Sequence, residues 1–91
     1  MGVIHTAEQT SGTATGSTAE LSGHGGLLIV QSDQTAYFTL DGTTAVTSAN
    51  SIMIDRSSGP GRPVIIELQP EQYTMHWIAT ATGYLIKTEI W

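Results

Sequence analysis

Gly25-Gly26-Leu27-Leu28-Ile29-Val30-Gln31-Ser32-Asp33-Gln34-Thr35-Ala36-Tyr37-Phe38-Thr39-Leu40-Asp41-Gly42 is the stretch on which the fold reading turns. Its first half is a four-residue apolar run, Leu27 to Val30, closed off by glycines on one side and Gln31-Ser32-Asp33 on the other. A run that short between turn residues suits a strand buried on both faces. The second half alternates: Ala36, Phe38 and Leu40 fall on one face, and Thr35, Tyr37 and Thr39 on the other, as the twofold period of a strand requires. The link Ser32-Asp33-Gln34 is short and polar, so the two runs are expected to pair as an antiparallel hairpin.

The same texture continues downstream. Asp41-Gly42 signals a turn, and Thr43 to Ser48 is small and β-compatible. Ile52 and Ile54, two apart, define a short strand within 51–55. Arg56 to Pro63 holds two prolines and two glycines and reads as a loop, because neither residue type sustains a regular ladder. Val64 to Leu68 is a strong strand. Tyr73 to Ala79 sets Tyr73, Met75, Trp77 and Ala79 on one face. After Thr80-Ala81-Thr82-Gly83, the last strand runs from Tyr84 to Ile90, with Tyr84, Ile86 and Ile90 expected inward and Lys87 and Glu89 opposite. Tyr73, Trp77 and Tyr84 would then share the core as aromatic neighbours on adjacent strands.

Upstream the signal weakens. Residues 7–25 mix Gly12, Gly16, Gly23 and Gly25 with Thr, Ser and Ala. They read either as a weak strand from Thr13 to Leu21, with Ala19 and Leu21 inward, or as a Gly/Ser-rich linker. The chain therefore divides into an N-terminal arm with a weakly structured first strand (1–25) and a core (26–91). No segment carries a helical i, i+3, i+4, i+7 pattern. Seven to eight short antiparallel strands point to an all-β domain, a small β-sandwich or jelly-roll-like barrel.

Composition narrows the function. Ninety-one residues make one domain. Only 12% are charged, while Thr and Ser supply 22 residues, which suits a β surface partly covered by neighbours. The net charge is −5, and Arg56, Arg62 and Lys87 are the whole Lys and Arg inventory. Nucleic-acid binding is not expected, since it needs clustered cations. With no cysteine, disulfides and thiolate metal sites are excluded. No apolar stretch has the length of a membrane span, and the first residues lack a secretory signal. Met1-Gly2 with Thr6 matches part of a myristoylation pattern, but no polybasic patch follows it. A soluble protein made in the cytoplasm is expected.

No chemistry-bearing constellation emerges. His5, His24 and His76 lie far apart in unlike contexts, without the paired spacing of a zinc site, and are expected at the surface or an interface. Asp33, Asp41 and Asp55 each follow a strand, without the company a calcium loop needs, and read as turn residues. There is no Gly-x-Ser-x-Gly elbow and no P-loop. Neither an enzyme nor a cofactor is expected. The residues singled out for contact with a partner are Val3, Ile4 and Trp91, apolar groups at the two chain ends.

From residue 26 onward the chain resembles the small all-β structural proteins found among the virion genes of tailed bacteriophages. The resemblance rests on Gly26 to Asp33, on Ala36 to Leu40, on Thr44 to Ile52, on Pro63 to Leu68 and on the closing strands around Gly83. It covers about two-thirds of the chain and is one of texture without a diagnostic motif. The loop at 57–63 is longer than the family leads one to expect, and residues 7–25 match nothing in it. The resemblance implies a capsid decoration (cement) protein, commonly a homotrimer, that binds the major capsid protein or other virion proteins on the capsid surface and stabilises the shell. The alternative, from another class, is a carbohydrate- or receptor-binding module at a tail or fibre tip. Exposed aromatics would favour that module; aromatics turned inward would favour the structural role.

Overall fold

In the computed structural model, residues 2–10, 16–45, 51–55 and 63–91 are described, and they form eight strands. These are β1 (Val3–Thr10), β2 (Ser17–Glu20), β3 (Gly26–Ser32), β4 (Ala36–Thr39), β5 (Ile52–Ile54), β6 (Val64–Leu68), β7 (Thr74–Ala79) and β8 (Gly83–Ile90). Two four-stranded antiparallel sheets result, sheet I in the order β1-β8-β3-β6 and sheet II in the order β2-β7-β4-β5. The pairs β1·β8, β2·β7, β3·β6 and β4·β5 always join the nth strand from one end to the nth from the other. The chain is thus one long hairpin, bent back at β4–β5 and rolled up so that β8 also meets β3 and β7 also meets β4. That is the jelly-roll arrangement, and it confirms the all-β sandwich. The 56–62 loop, the 46–48 end of the stretch after Asp41-Gly42, and residues 13–15 of the weak strand lie outside the described residues.

The roll overturns the expected hairpin of residues 27–40. β3 belongs to sheet I and β4 to sheet II, so the connector crosses between the sheets. Its polar residues explain how. Ser32 Oγ donates to the Tyr84 carbonyl (3.0 Å), Asp33 N–H bonds the same carbonyl (3.2 Å), and Asp33 Oδ1 accepts from Tyr84 N–H (2.8 Å). Two residues later the Thr35 carbonyl accepts from Thr80 N–H just past the end of β7 (3.0 Å). The link therefore bonds to each sheet in turn. Leu28 and Val30 face Ala36 and Phe38 across the interior instead of lying beside them.

Those four residues, with Leu21, Ile54, Leu68, Met75, Trp77, Ala79 and Leu85, form one buried cluster. Trp77 lies opposite Phe38 in the register, so the inward face expected for Met75, Trp77 and Ala79 holds, and Tyr73 packs half-buried beside it. The expected face of β8 does not hold. Leu85, Lys87 and Glu89 point inward, while Tyr84, Ile86, Thr88 and Ile90 point out. Nor is β8 adjacent to β7, since the two lie in different sheets. A one-residue shift of phase moves every side chain of a strand to the other face. Here pairing decides the phase, setting Leu85 against Ser32, Lys87 against Val30 and Glu89 against Leu28. Two charged residues are buried as a result, Lys87 at 6% and Glu89 at 3% exposure. The Glu89 carboxylate is satisfied by Ser22, accepting from its N–H (3.0 and 3.2 Å) and its hydroxyl (2.8 Å). It thereby fastens the β2–β3 connection to the inner wall of sheet I.

Residues 3–10, assigned to an arm by the sequence, are strand β1, paired with β8 along its whole length. β2 occupies Ser17–Glu20, with Ala19 and Leu21 packed against or in the core. At the start of β3, Gly26 has φ +83°, and a Cβ there would strike the Ile90 carbonyl. Gly26→Ala should destabilise the fold by about 1–3 kcal/mol, the usual cost of a residue held in a disfavoured backbone region. A urea melt reads it, and an unchanged midpoint would show that the β3–β8 junction can relax.

Candidate interaction surface

The two outer faces of the sandwich differ. On sheet II the segment after β4 turns at Asp41-Gly42 and folds back over the strands. Ala45 N–H donates to His76 Nδ1 (2.9 Å), and Thr39 Oγ1 donates to the Thr43 carbonyl (2.5 Å). His76, expected at a surface or interface, is buried beneath this segment. Asp41 Oδ1 accepts from Thr43 N–H (3.0 Å). That backbone bond, helped by the Thr43 side chain, holds the Asp41 carboxyl below its ordinary range. The ionised carboxylate therefore caps this turn, and its contribution fades only as the pH falls through that lowered value. Turn chemistry is the role the sequence suggested for Asp33 and Asp41.

Sheet I presents a different surface. Cα partners in an antiparallel ladder put their side chains on the same face, so the register gives the rows directly. Val3, Ile90, Leu27 and Glu67 make one row; His5, Thr88, Ile29 and Ile65 the next; Ala7, Ile86 and Gln31 the third. Tyr84 closes the face at the far end of β8. Most of these groups are hydrocarbon, and several stand in solvent: Ile65 is 63% exposed, Val3 61% and Tyr84 57%. β3 was expected to be buried on both faces. Instead Leu28 and Val30 are buried while Leu27 is exposed and Ile29 half-buried. The run is apolar on both sides because sheet I has an apolar outer wall as well as an apolar inner one.

The three residues singled out from the sequence lie at one end of the β1–β8 ladder but do not share one face. Val3 lies on the outer face of sheet I. Ile4, its neighbour in β1, points to the opposite side, opposite Glu89 in the register. Trp91 sits half-buried beyond the end of β8. Its indole stacks on the His24 ring (centroids 4.3 Å apart, 13° between planes), and its main chain exchanges hydrogen bonds with Gly2 (2.8 and 3.0 Å). A Cβ on Gly2 would collide with the indole, so that residue packs flat against it. Sequence reasoning missed Leu27, Ile65 and Ile86 as surface groups. The signal was present in the doubly apolar texture of 27–30 and 64–66, which was assigned to burial within the chain.

Tyr84 also walls a shallow concavity of about 490 Å³ at the end of sheet I, together with Ala7, Gln31, Ser32, Asp33 and Ile86. Among the described residues, no three His, Asp or Glu side chains come together as metal ligands. Comparison with known protein families, with characterised proteins and with solved structures finds no match to this chain.

Proposed function

We propose that this jelly roll is a virion structural protein, a decoration (cement) subunit that binds the outer capsid surface and stabilises the shell. The observation that carries the reading is the uncovered apolar wall of sheet I. The largest contiguous apolar patch of a soluble domain is often its contact surface. Trp77 and Phe38, turned inward, favour the structural role over sugar stacking. Few charges lower the desolvation cost of covering the domain, and its hydroxyls can re-form hydrogen bonds to a neighbour. The subunit acts as a clamp, by burying surface against its neighbours.

Tyr84 supports a second reading. An exposed ring beside the Gln31 amide and the Asp33 carboxylate, with Ala7 and Ile86 as an apolar floor, has the mixed character of a glycan subsite. On that reading the domain is a receptor- or carbohydrate-binding module at a tail or fibre tip. Immunogold labelling of virions from the source of this sequence tests both. Regular label over the head is expected. Label confined to the tail tip, with glycan-array binding that Tyr84→Ala abolishes, would install the second reading, and unlabelled particles would remove both.

A further inference from the structure

We infer that the outer face of sheet I is covered by the same face of a second copy, two sandwiches stacked sheet on sheet about a twofold axis. This rests on the structural-subunit reading and names the neighbour. The first argument is area. Four strands of eight, eight, seven and five residues, spaced by about 4.8 Å and rising about 3.3 Å per residue, give a face of about 440 Å². Two such faces remove about 900 Å² from water, the size of a weak, reversible pair. The second is symmetry. A threefold ring, as the virion resemblance implies, joins two unlike patches, whereas one patch that matches itself closes a twofold pair. Sheet I offers one broad apolar face, and the corresponding face of sheet II is crossed by the 43–45 segment.

The third argument is the placement of charge. The register rows carry no Lys or Arg, and their ionisable groups are His5 on β1 and Glu67 on β6. These strands are the two borders of sheet I. A twofold axis running between the stacked sheets along the strand direction exchanges the borders. It brings His5 of one copy over Ile65 on the β6 border of the other, one register row from Glu67, and does so twice. His5 Nδ1 is already engaged by Thr88 Oγ1 (2.8 Å), which leaves Nε2 to reach that carboxylate. The middle of the interface is then Leu27 and Ile29 of one copy against Ile86 and Ile90 of the other, apolar at the centre and polar at the rim as such interfaces are.

Sedimentation equilibrium of the purified chain at micromolar concentration tests the proposal. The expected mass is twice the 9.7 kDa of one chain. Ile65→Lys should weaken self-association at least tenfold with an unchanged far-ultraviolet spectrum, whereas Thr18→Lys, on exposed β2 of sheet II, should leave it unaltered. His5→Glu should weaken the pair, and adding Glu67→Lys in the same chain should restore it. A trimer or a monomer at these concentrations overturns the proposal, as does a dimer indifferent to Ile65→Lys. Labelled virion heads together with a monomer in solution would sink the pairing and leave the decoration role standing. A twofold pair that labels no particle would do the reverse.

Discussion

Trp77→Ala should leave the domain poorly folded. The indole lies in the middle of β7, 2% exposed, opposite Phe38 and within the single buried cluster that both sheets share. Removing a buried large aromatic costs about 3–5 kcal/mol, because hydrocarbon returns to water and the cavity closes only in part. A domain of this length has about 5–14 kcal/mol in all. The variant should lose from about a fifth to the whole of its stability, and any loss of partner binding should follow from unfolding. Circular dichroism during a urea titration measures it. A variant that melts with the parent midpoint would remove Trp77 from the core and weaken the structural reading with it.

Glu89→Leu should also be damaging, for an electrostatic reason. The carboxylate is buried, yet it is held by the N–H and hydroxyl of Ser22, and charge-assisted bonds of this kind are the stronger ones. Lys87 is buried two residues away on the same inner face, so the two side chains carry opposite charge about 6–7 Å apart along the strand. Leucine would leave the Ser22 N–H and hydroxyl without their acceptor. A donor left unsatisfied in this way costs about 1–3 kcal/mol. Glu89→Gln keeps an oxygen for Ser22 and should lose less. Chemical denaturation of the two variants side by side settles the order, and a Leu variant as stable as the Gln variant would show that the Ser22 fastening carries no weight.

Both predictions fall where the sequence was legible to different degrees. Met75, Trp77 and Ala79 alternate cleanly, and β7 has an inner face that strict alternation describes, so its orientation could be read directly. β8 could not be read that way. Tyr84, Ile86 and Ile90 are more apolar than Leu85, Lys87 and Glu89, and hydropathy alone turns them inward. What turns them outward is pairing with β1 and β3, a long-range fact that no local window contains. The β3–β4 link failed for a related reason. A short polar connector serves a hairpin and a sheet-to-sheet crossing equally well, and only the partners of Ser32, Asp33 and Thr35 tell them apart. The interaction surface was legible as apolar texture and illegible as surface, because a strand greasy on both sides looks the same whether its cover is intramolecular or another molecule. β1 was missed because Val3 to Thr10 has only Val3, Ile4 and Ala7 as apolar residues and no alternation, as an edge strand tolerates.

The nested pairing of first strand with last has a consequence for how the protein comes into being. During synthesis β1 emerges first and its partner β8 emerges last, and β8 is also the strand that joins β1 to β3. Sheet I has no centre until residue 90 has left the ribosome. Until then Leu27 to Val30 and Val64 to Ile66 have only each other to pair with, and the apolar residues of both faces are open to water. Closure of so many distant contacts is slow compared with that of local ones, and unpaired apolar strands are the species most prone to aggregate while they wait. The unfinished domain is therefore open to aggregation from the appearance of β3 until β8 takes its place between β1 and β3.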